Sequence, residues 1–163
     1  MTRLAVVPLV ALLSAACASG GGVRVGTAGG GAASRGRGAG AALGHRIVAD
    51  ALDLRGVPYR NGGTTPKGFD CSGLVAYVLA QHGLTMPRQT KDQYRVGRKV
   101  DRDEIQPGDL VFFSTVASGA SHVGIAVDAD EFVHAPSSRG VVRVERLTLP
   151  YWARRYIGAR RVR

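Results

Sequence analysis

Apolar residues recur at helical spacing in two segments of the 163-residue chain. The first segment runs from Ala41 to Arg55, and Gly56 ends it. The second runs from Ser72 to Gln81, after the glycine-rich loop 59–68. The pattern therefore predicts two helices, whose apolar positions are Leu43, Ile47, Val48, Ala51, Leu52 and Leu54 in the first and Leu74, Val75, Val78 and Leu79 in the second.

After position 100 the pattern changes to that of β-strands. Residues 110–113 form a continuous apolar run, and residues 121–127 alternate between apolar and small or polar side chains. Further strands are predicted at 131–135, 141–147 and 156–162, with a turn at 151–153. Two helices followed by consecutive antiparallel strands indicate an α+β fold with the helices packed on one side of the sheet.

One predicted hairpin brings two histidines together. Centring the hairpin on Ala129, within the turn Asp128-Ala129-Asp130, places His134 opposite Gly124. His122 then lies diagonal to His134 on the same face, and Gly124 leaves room between them. A slip of one residue in the register would separate the two side chains.

The first 17 residues have the parts of a secretory signal, namely Arg3, an apolar run from Leu4 to Leu13, and small residues before Cys17. The run is too short to cross a bilayer, which needs about 20 apolar residues. The small-small-Cys ending resembles that of a bacterial lipoprotein signal, in which the cysteine is acylated. This interpretation implies lipidation at Cys17, and Ala18 in place of aspartate implies transport to the outer membrane. Ordinary signal-peptidase cleavage after Ala18 is the alternative.

The next segment, 18–42, is dominated by glycine, alanine and serine and contains no aromatic residue. Such a segment buries too little apolar surface to offset the entropy of ordering. The sequence therefore predicts a lipoprotein-type signal segment at 1–17, a flexible tether at 18–42 and one folded domain at 43–163. The last part, about 120 residues, is long enough for a single core.

The chain is basic, with 22 Lys and Arg residues, 12 Asp and Glu residues and a net charge of +10. Residues 1–42 carry four arginines and no acid, which leaves +6 on the rest. A basic surface suits nucleic acid, a phospholipid surface or an acidic wall polymer, and it equally suits plain solubility. The charge alone therefore selects no partner.

Cys71 opens the second predicted helix, where unpaired N–H groups and the helix dipole favour a thiolate. Because Cys17 lies in the signal segment, separate chemical roles are expected for the two cysteines rather than a disulfide. His122 is the candidate base for the Cys71 thiol, and His134 is placed to hold His122 in the productive tautomer. Backbone N–H groups at the helix start would hold the oxyanion.

These residues also have plainer interpretations. Cys71 alone would be a small buried hydrophobic residue, and either histidine alone would be a satisfied core or edge residue. A zinc site of Cys71, His122, His134 and Asp70 has suitable ligand types, but the sequence lacks the close Cys or His pairs of structural zinc sites. The thiol chemistry itself requires no metal or other cofactor.

Five segments of the chain carry a family resemblance: VPYRNGGTTPKGFDCSGLVAYV, MPRQTKDQY, QPGDLVFF, SHVGIAV and EFVHAP. They resemble the NlpC/P60 family of papain-like cell-wall cysteine peptidases, over nearly all of 43–163. The resemblance implies a papain-like domain with N-terminal helices packed against an antiparallel sheet. It also implies that Cys71 is the nucleophile, His122 the base and His134 the orienting third residue.

The resemblance further implies substrate contacts by Tyr59, Asp70 and Ser72, which in relatives surround the peptide and can receive its free amine. Asp70 beside the thiol suits an ammonium group but opposes thiolate formation. The plainer interpretations are loop packing for Tyr59 and an N-cap for Asp70. Arg88 would either meet a substrate carboxylate or brace the fold, and it is left outside the predicted site.

The function implied by the resemblance is thiol endopeptidase activity on peptidoglycan stem peptides. One such domain behind a lipoprotein leader favours the D-alanyl–diaminopimelate cross-link, and the γ-D-glutamyl–diaminopimelate bond of a single stem is the alternative. The expected protein is a monomer, lipid-anchored at the periplasmic face of the outer membrane, without a nucleic-acid partner; a soluble periplasmic or secreted protein is the alternative. A non-catalytic wall-binding lipoprotein and an acyltransferase or amidase on the same scaffold also stay open.

Overall fold

The computed structural model describes residues 30–136 and 140–163. The predicted signal segment 1–17, with Cys17, and residues 18–29 of the predicted tether lie outside the described residues. No helix within the described ranges is long and apolar enough to span a bilayer. The elements in chain order are α1 Gly30–Asp53, β1 Thr64–Thr65, β2 Gly68–Phe69, α2 Cys71–Ala80, α3 Thr90–Gln93, β3 Arg98–Val100, a 3₁₀ turn Arg102–Glu104, β4 Leu110–Phe113, β5 His122–Ala126, β6 Glu131–His134, β7 Arg143–Arg146, α4 Pro150–Ala153 and β8 Tyr156–Arg161.

Six of the strands form one antiparallel sheet in the order β3-β8-β4-β5-β6-β7. Strands β4 to β7 are neighbours in both sequence and space, as in a simple meander. The last strand, β8, is inserted between β3 and β4, so the chain end is paired on both sides. β1 and β2 form a separate two-stranded hairpin immediately before α2.

The helices α1 and α2 cover one face of the sheet. Their apolar side chains and those of the facing strands form one buried cluster, which includes Ile47, Leu74, Val78, Phe112, Val123, Ile125 and Val133. The opposite face carries a second cluster, with Val111, Phe113, Phe132, Leu147, Trp152 and Ala159. The predicted α+β fold with helices on one side of an antiparallel sheet is thus confirmed, and the second cluster shows that the other face is covered too.

Three local features differ from the sequence prediction. α1 begins at Gly30, so residues 30–42, which were assigned to the tether, are helical. Alanine and arginine are strong helix formers and lie between the glycines of this stretch, whereas the prediction depended on apolar periodicity alone. The predicted loop 59–68 contains the β1–β2 hairpin. The predicted turn at 151–153 is part of the short helix α4, which proline starts.

Candidate active site

Asp70 fixes the first turn of α2, the turn that carries Cys71. It has extended backbone angles, φ −92° and ψ 176°, and its carboxylate accepts a hydrogen bond of 2.7 Å from the backbone N–H of Gly73. This is the geometry of an N-cap, so the N-cap interpretation of Asp70 is confirmed. The helix therefore starts at Cys71 because the residue before it ends the loop and satisfies a free N–H group.

Gly73 allows the loop before the helix to pack directly on that first turn. A Cβ atom at this position would lie 2.0 Å from the carbonyl oxygen of Gly63. No side chain fits at such a distance, so the spacing of Asp, Cys and Gly in the motif has a steric cause. The loop and the thiol are held in one fixed arrangement.

The thiol of Cys71 is largely buried and has few partners. Its sulfur lies 3.6 Å from the Thr90 hydroxyl, and the backbone N–H groups of Ser72 and Val123 are directed to it. Burial, followed by the charge of Asp70, raises the pKa of the thiol, and the contacts with Thr90 and the two N–H groups oppose this. The N–H group of Ser72 at the helix start favours the thiolate, as predicted, but burial and Asp70 leave the pKa of the thiol raised.

The two histidines meet as predicted. β5 and β6 pair with Ile125 opposite Val133, which centres the hairpin on Ala129. The Nε2 atom of His122 lies 2.8 Å from the Nδ1 atom of His134, and both side chains are buried. The intervening Gly124 is needed there, since a Cβ atom on it would lie 2.6 Å from the Phe132 ring. The predicted register and the predicted contact between the histidines are confirmed.

Burial keeps both histidines neutral. It lowers the pKa of His122 to about 3, with a further contribution from His134, and it lowers the pKa of His134 as well. The backbone of Val123, next to His122, contacts the Cys71 sulfur, so the thiol lies beside the strand that carries the imidazole. A neutral imidazole can accept a proton from a thiol, so the charge states of His122 and Cys71 suit general-base activation of a nucleophile.

Trp152 and Glu145 complete the surroundings of the histidines, and the sequence prediction missed both. The indole of Trp152 stacks on His122 at 5.4 Å between ring centroids, with 25° between the planes. Its N–H donates a hydrogen bond to the carboxylate of Glu145. The available signal was the single tryptophan of the chain, two residues after Pro150, in a stretch interpreted as a turn. The two histidines therefore pack against the indole of Trp152, and His134 lies near the carboxylate of Glu145.

The predicted substrate-binding residues Asp70 and Ser72 form one hydrogen-bonded group with Arg88. Arg88 forms a two-pronged ion pair with Asp70, at 3.0 Å and 2.5 Å, and donates a 2.9 Å hydrogen bond to the Ser72 hydroxyl. Asp70 also accepts from the Gly62 N–H at 3.0 Å. Tyr59 is half-buried, and burial together with the charges of Cys71 and Asp70 raises its pKa, so it belongs to the same group.

The position of Arg88 changes the predicted role of Asp70. All the acceptor positions of this carboxylate are directed to protein donors, whereas the sequence prediction offered it to a substrate amine. Arg88, which the prediction left outside the site, is 43% exposed and neighbours the thiol. Near Cys71, the solvent therefore meets the positive charge of Arg88 as well as the negative charge of Asp70.

Two clefts are relevant to the site: one is lined in part by His122, and the other lies beside α1. One has a volume of about 310 Å³ and is lined by Thr115, His122, Pro136, Arg143, Glu145, Leu149, Tyr151 and Trp152. The other, of about 970 Å³, lies between α1 and the β3–β8 edge and contains none of the candidate catalytic residues. Within 30–136 and 140–163, no three His, Cys, Asp or Glu side chains are placed to hold a metal ion, so the zinc alternative finds no ligand set.

The neutral histidines predict that stability depends on pH. Between pH 6.5 and pH 5 the unfolded chain binds a proton at His122 and the folded chain does not, so the unfolding free energy falls as the pH falls; the lowered pKa of His134 acts in the same direction. The expected slope from His122 is about 1.4 kcal/mol per pH unit well below pH 6.5. Urea unfolding at several pH values measures it.

His122→Asn removes one of the two groups, and the slope is expected to decrease accordingly. His45→Asn, which replaces an exposed histidine of α1, is the matched control and should keep the wild-type slope. An undiminished slope in His122→Asn would contradict a neutral buried imidazole at this position.

Comparisons with known proteins agree with the site. A family model described as "NlpC/P60 family" matches residues 56–161. The chain is 45% identical over 118 residues to "Murein DD-endopeptidase MepS/Murein LD-carboxypeptidase" of Escherichia coli, covering 72% of this chain and 62% of that protein. It is 46% identical over 110 residues to "Probable endopeptidase NlpC" of Escherichia coli, covering 66% of this chain and 70% of that protein.

The fold comparison gives the same result. The crystal structure of an NlpC/P60 family protein from Bacillus cereus superposes with a TM-score of 0.69 at 33% identity, over 73% of this chain and 40% of that chain. The family match covers well over half of the sequence, including the loop, the helix with Cys71 and the hairpin with both histidines. The resemblance inferred from the motifs is confirmed, and the chain belongs to the NlpC/P60 family.

Proposed function

We propose that the chain is a thiol endopeptidase that hydrolyses an amide bond in the stem peptides of peptidoglycan. Cys71 is the nucleophile, His122 the general base and acid, and His134 the residue that orients His122. The observation that carries the proposal is the 2.8 Å contact between the two buried histidines, at the strand whose Val123 touches the thiol. Burying two imidazoles is costly, which favours a functional role for the pair.

The reaction follows from the neutral resting state. His122 uses Nε2 for His134, so Nδ1 is the nitrogen left to take the thiol proton as the sulfur attacks the amide carbon. The tetrahedral intermediate collapses by breaking the C–N bond, and the imidazolium returns its proton to the leaving amine. Water then attacks the thioester with His122 again as base, which releases the acid product and restores the thiol. Backbone N–H groups at the start of α2 stabilise the oxyanion.

The bond we propose is the D-alanyl–diaminopimelate cross-link between two stems. Support comes from the 45% identical relative, which is named a murein DD-endopeptidase and of whose length the chain spans about 62%. Two further observations support contacts with two stems: Tyr59 and Arg88 neighbour the thiol, and His122 lines the 310 Å³ cleft. The γ-D-glutamyl–diaminopimelate bond of one stem is the alternative.

The proposed location is the cell envelope, with a lipid anchor at Cys17 holding a monomer at the periplasmic face of the outer membrane. The support is the sequence of the signal segment, together with the murein substrates in the names of relatives. Several acyl chains would bind a membrane firmly. Cys17→Ser is expected to move the protein from the membrane fraction to the soluble fraction, and an unchanged distribution would contradict lipidation.

The function is tested by digesting purified, cross-linked peptidoglycan with the full chain and weighing the released fragments. Loss of cross-linked dimers and gain of monomeric tetrapeptide stems is the expected result. Shortened stems ending at D-glutamate would move the proposal to the alternative bond. His45→Asn is the control and should act like the wild type. Unchanged peptidoglycan would overturn the enzyme proposal and favour a non-catalytic wall-binding protein.

A further inference from the structure

The second ring nitrogen of His134 lies in an unusual position. His134 is fully buried, and its Nδ1 contacts His122, but its Nε2 has no hydrogen-bond partner among the described residues. The nearest charged group is the Oε2 atom of Glu145, at 3.8 Å. This distance exceeds that of a hydrogen bond, so the two groups interact through charge and would need a shift of under 1 Å to bond. The nitrogen is therefore aimed at a carboxylate and not at the apolar core.

Glu145 itself is firmly held. It projects from β7 on the same face as His134, since His134 pairs with Arg143 and Phe132 pairs with Glu145 across the two strands. The Nε of Arg143 donates to Oε1 at 2.6 Å, and the indole N–H of Trp152 donates to Oε2. These donors and His134 lower the pKa of Glu145 to about 2, so the group is an acceptor without a proton at neutral pH.

The acceptor decides which tautomer His134 adopts. A carboxylate facing Nε2 favours the form with the proton on Nε2, and a neutral imidazole then has an unprotonated Nδ1. That Nδ1 must accept in the 2.8 Å contact, so the Nε2 of His122 donates. A neutral His122 with its proton on Nε2 has a free lone pair on Nδ1, which is the nitrogen that the thiol requires.

We infer that Glu145 is a positioning residue of the active site, acting through His134 to present the lone pair of His122 to Cys71. The inference rests on the proposed function and adds a fourth member to the chain Cys71, His122 and His134. When His122 takes the thiol proton, the Glu145 charge also stabilises the imidazolium, in the way that the acid of a catalytic triad does. Arg143 and Trp152 hold the carboxylate in place through their hydrogen bonds to it.

The test is the tautomer of His134, read by ¹⁵N NMR of the histidine-labelled full chain. The wild type is expected to show a protonated Nε2 and an unprotonated Nδ1 on His134. Glu145→Ala is expected to lose this preference and to lower kcat about 10- to 100-fold, with KM changed less than about twofold. Glu145→Gln keeps a carbonyl acceptor, so it should keep the tautomer and recover most of the rate.

Glu131→Gln, on the neighbouring strand, is the matched control and should leave both the tautomer and the rate unchanged. A Glu145→Ala protein that folds with the wild-type tautomer and the wild-type rate would overturn the inference. A thermal unfolding curve for each variant separates loss of the fold from loss of positioning. If the wild type cleaves no peptidoglycan, the proposed function fails, and the NMR signal still decides whether Glu145 sets the tautomer.

Discussion

Replacement of Cys71 by alanine is expected to lower the rate of peptidoglycan cleavage by at least about 10⁴-fold. In the proposed reaction the sulfur forms the bond to the substrate, and alanine offers no nucleophile in its place; the Thr90 hydroxyl lies 3.6 Å from the sulfur. The substitution removes one atom from a small site, so the unfolding free energy should change by less than about 1 kcal/mol. Fragment release over time and urea unfolding measure the two effects.

Thr90→Val is the matched control for that variant. It keeps the shape next to the sulfur and removes the hydroxyl, which helps the thiol to ionise. The expected loss of rate is within about tenfold, because one neutral hydrogen bond contributes about 1 kcal/mol. A Cys71→Ala protein that still releases fragments at a tenth of the wild-type rate would contradict its role as nucleophile.

Replacement of Asp109 by alanine is expected to destabilise the protein by about 3–5 kcal/mol. The carboxylate is completely buried before β4 and binds both Arg161 and Arg163, at 2.6 Å and 2.9 Å. It also accepts from the Gln106 N–H at 2.9 Å, in the Pro-Gly-Asp turn. Without it, two arginines at the end of β8 lose their partner in a site of low exposure. Urea unfolding near neutral pH measures the loss.

Asp92→Ala is the matched control for the buried pair. Its ion pair with Arg95 spans 3.6 Å on the surface, with the arginine 79% exposed. Such a pair contributes less than about 1 kcal/mol, and its loss should be hard to detect. Equal effects of the two substitutions would show that Asp109 does not tie the chain end to the sheet.

The parts of the fold that depend on local sequence were predictable. The register of the β5–β6 hairpin follows from a short turn and a two-residue period. The sequence alone therefore predicts that His122 and His134 are neighbours. The start of α2 at Cys71 follows in the same way, since Asp70 is an N-cap residue. Contacts between residues that are close in the chain can therefore be predicted from the sequence.

The remaining parts depend on contacts between distant segments. β8 lies between β3 and β4, and no periodicity in residues 156–162 tells which strands it joins. Arg88 reaches Asp70 across 18 positions, and Glu145 reaches His134 only because β7 pairs with β6 in one particular register. The side chains around the candidate triad were therefore outside the reach of sequence patterns.

The pKa of the Cys71 thiol also depends on segments distant in sequence. A helix start favours a thiolate, and this local effect can be inferred from the sequence. Burial by the surrounding fold and the charge of Asp70 act in the other direction, and they outweigh the stabilising contacts. A prediction from one element misses the desolvation that all the others impose.

The most direct test of the account is the mass of the intact protein, quenched in acid during turnover of a cross-linked muropeptide. The account predicts a thioester adduct on Cys71, located by peptide mapping, whose added mass equals that of the free donor stem through its terminal D-alanine minus one water. An adduct that ends at D-glutamate would keep Cys71 as the nucleophile and change the bond. Turnover without any adduct on Cys71, or an adduct on another residue, would contradict the central claim.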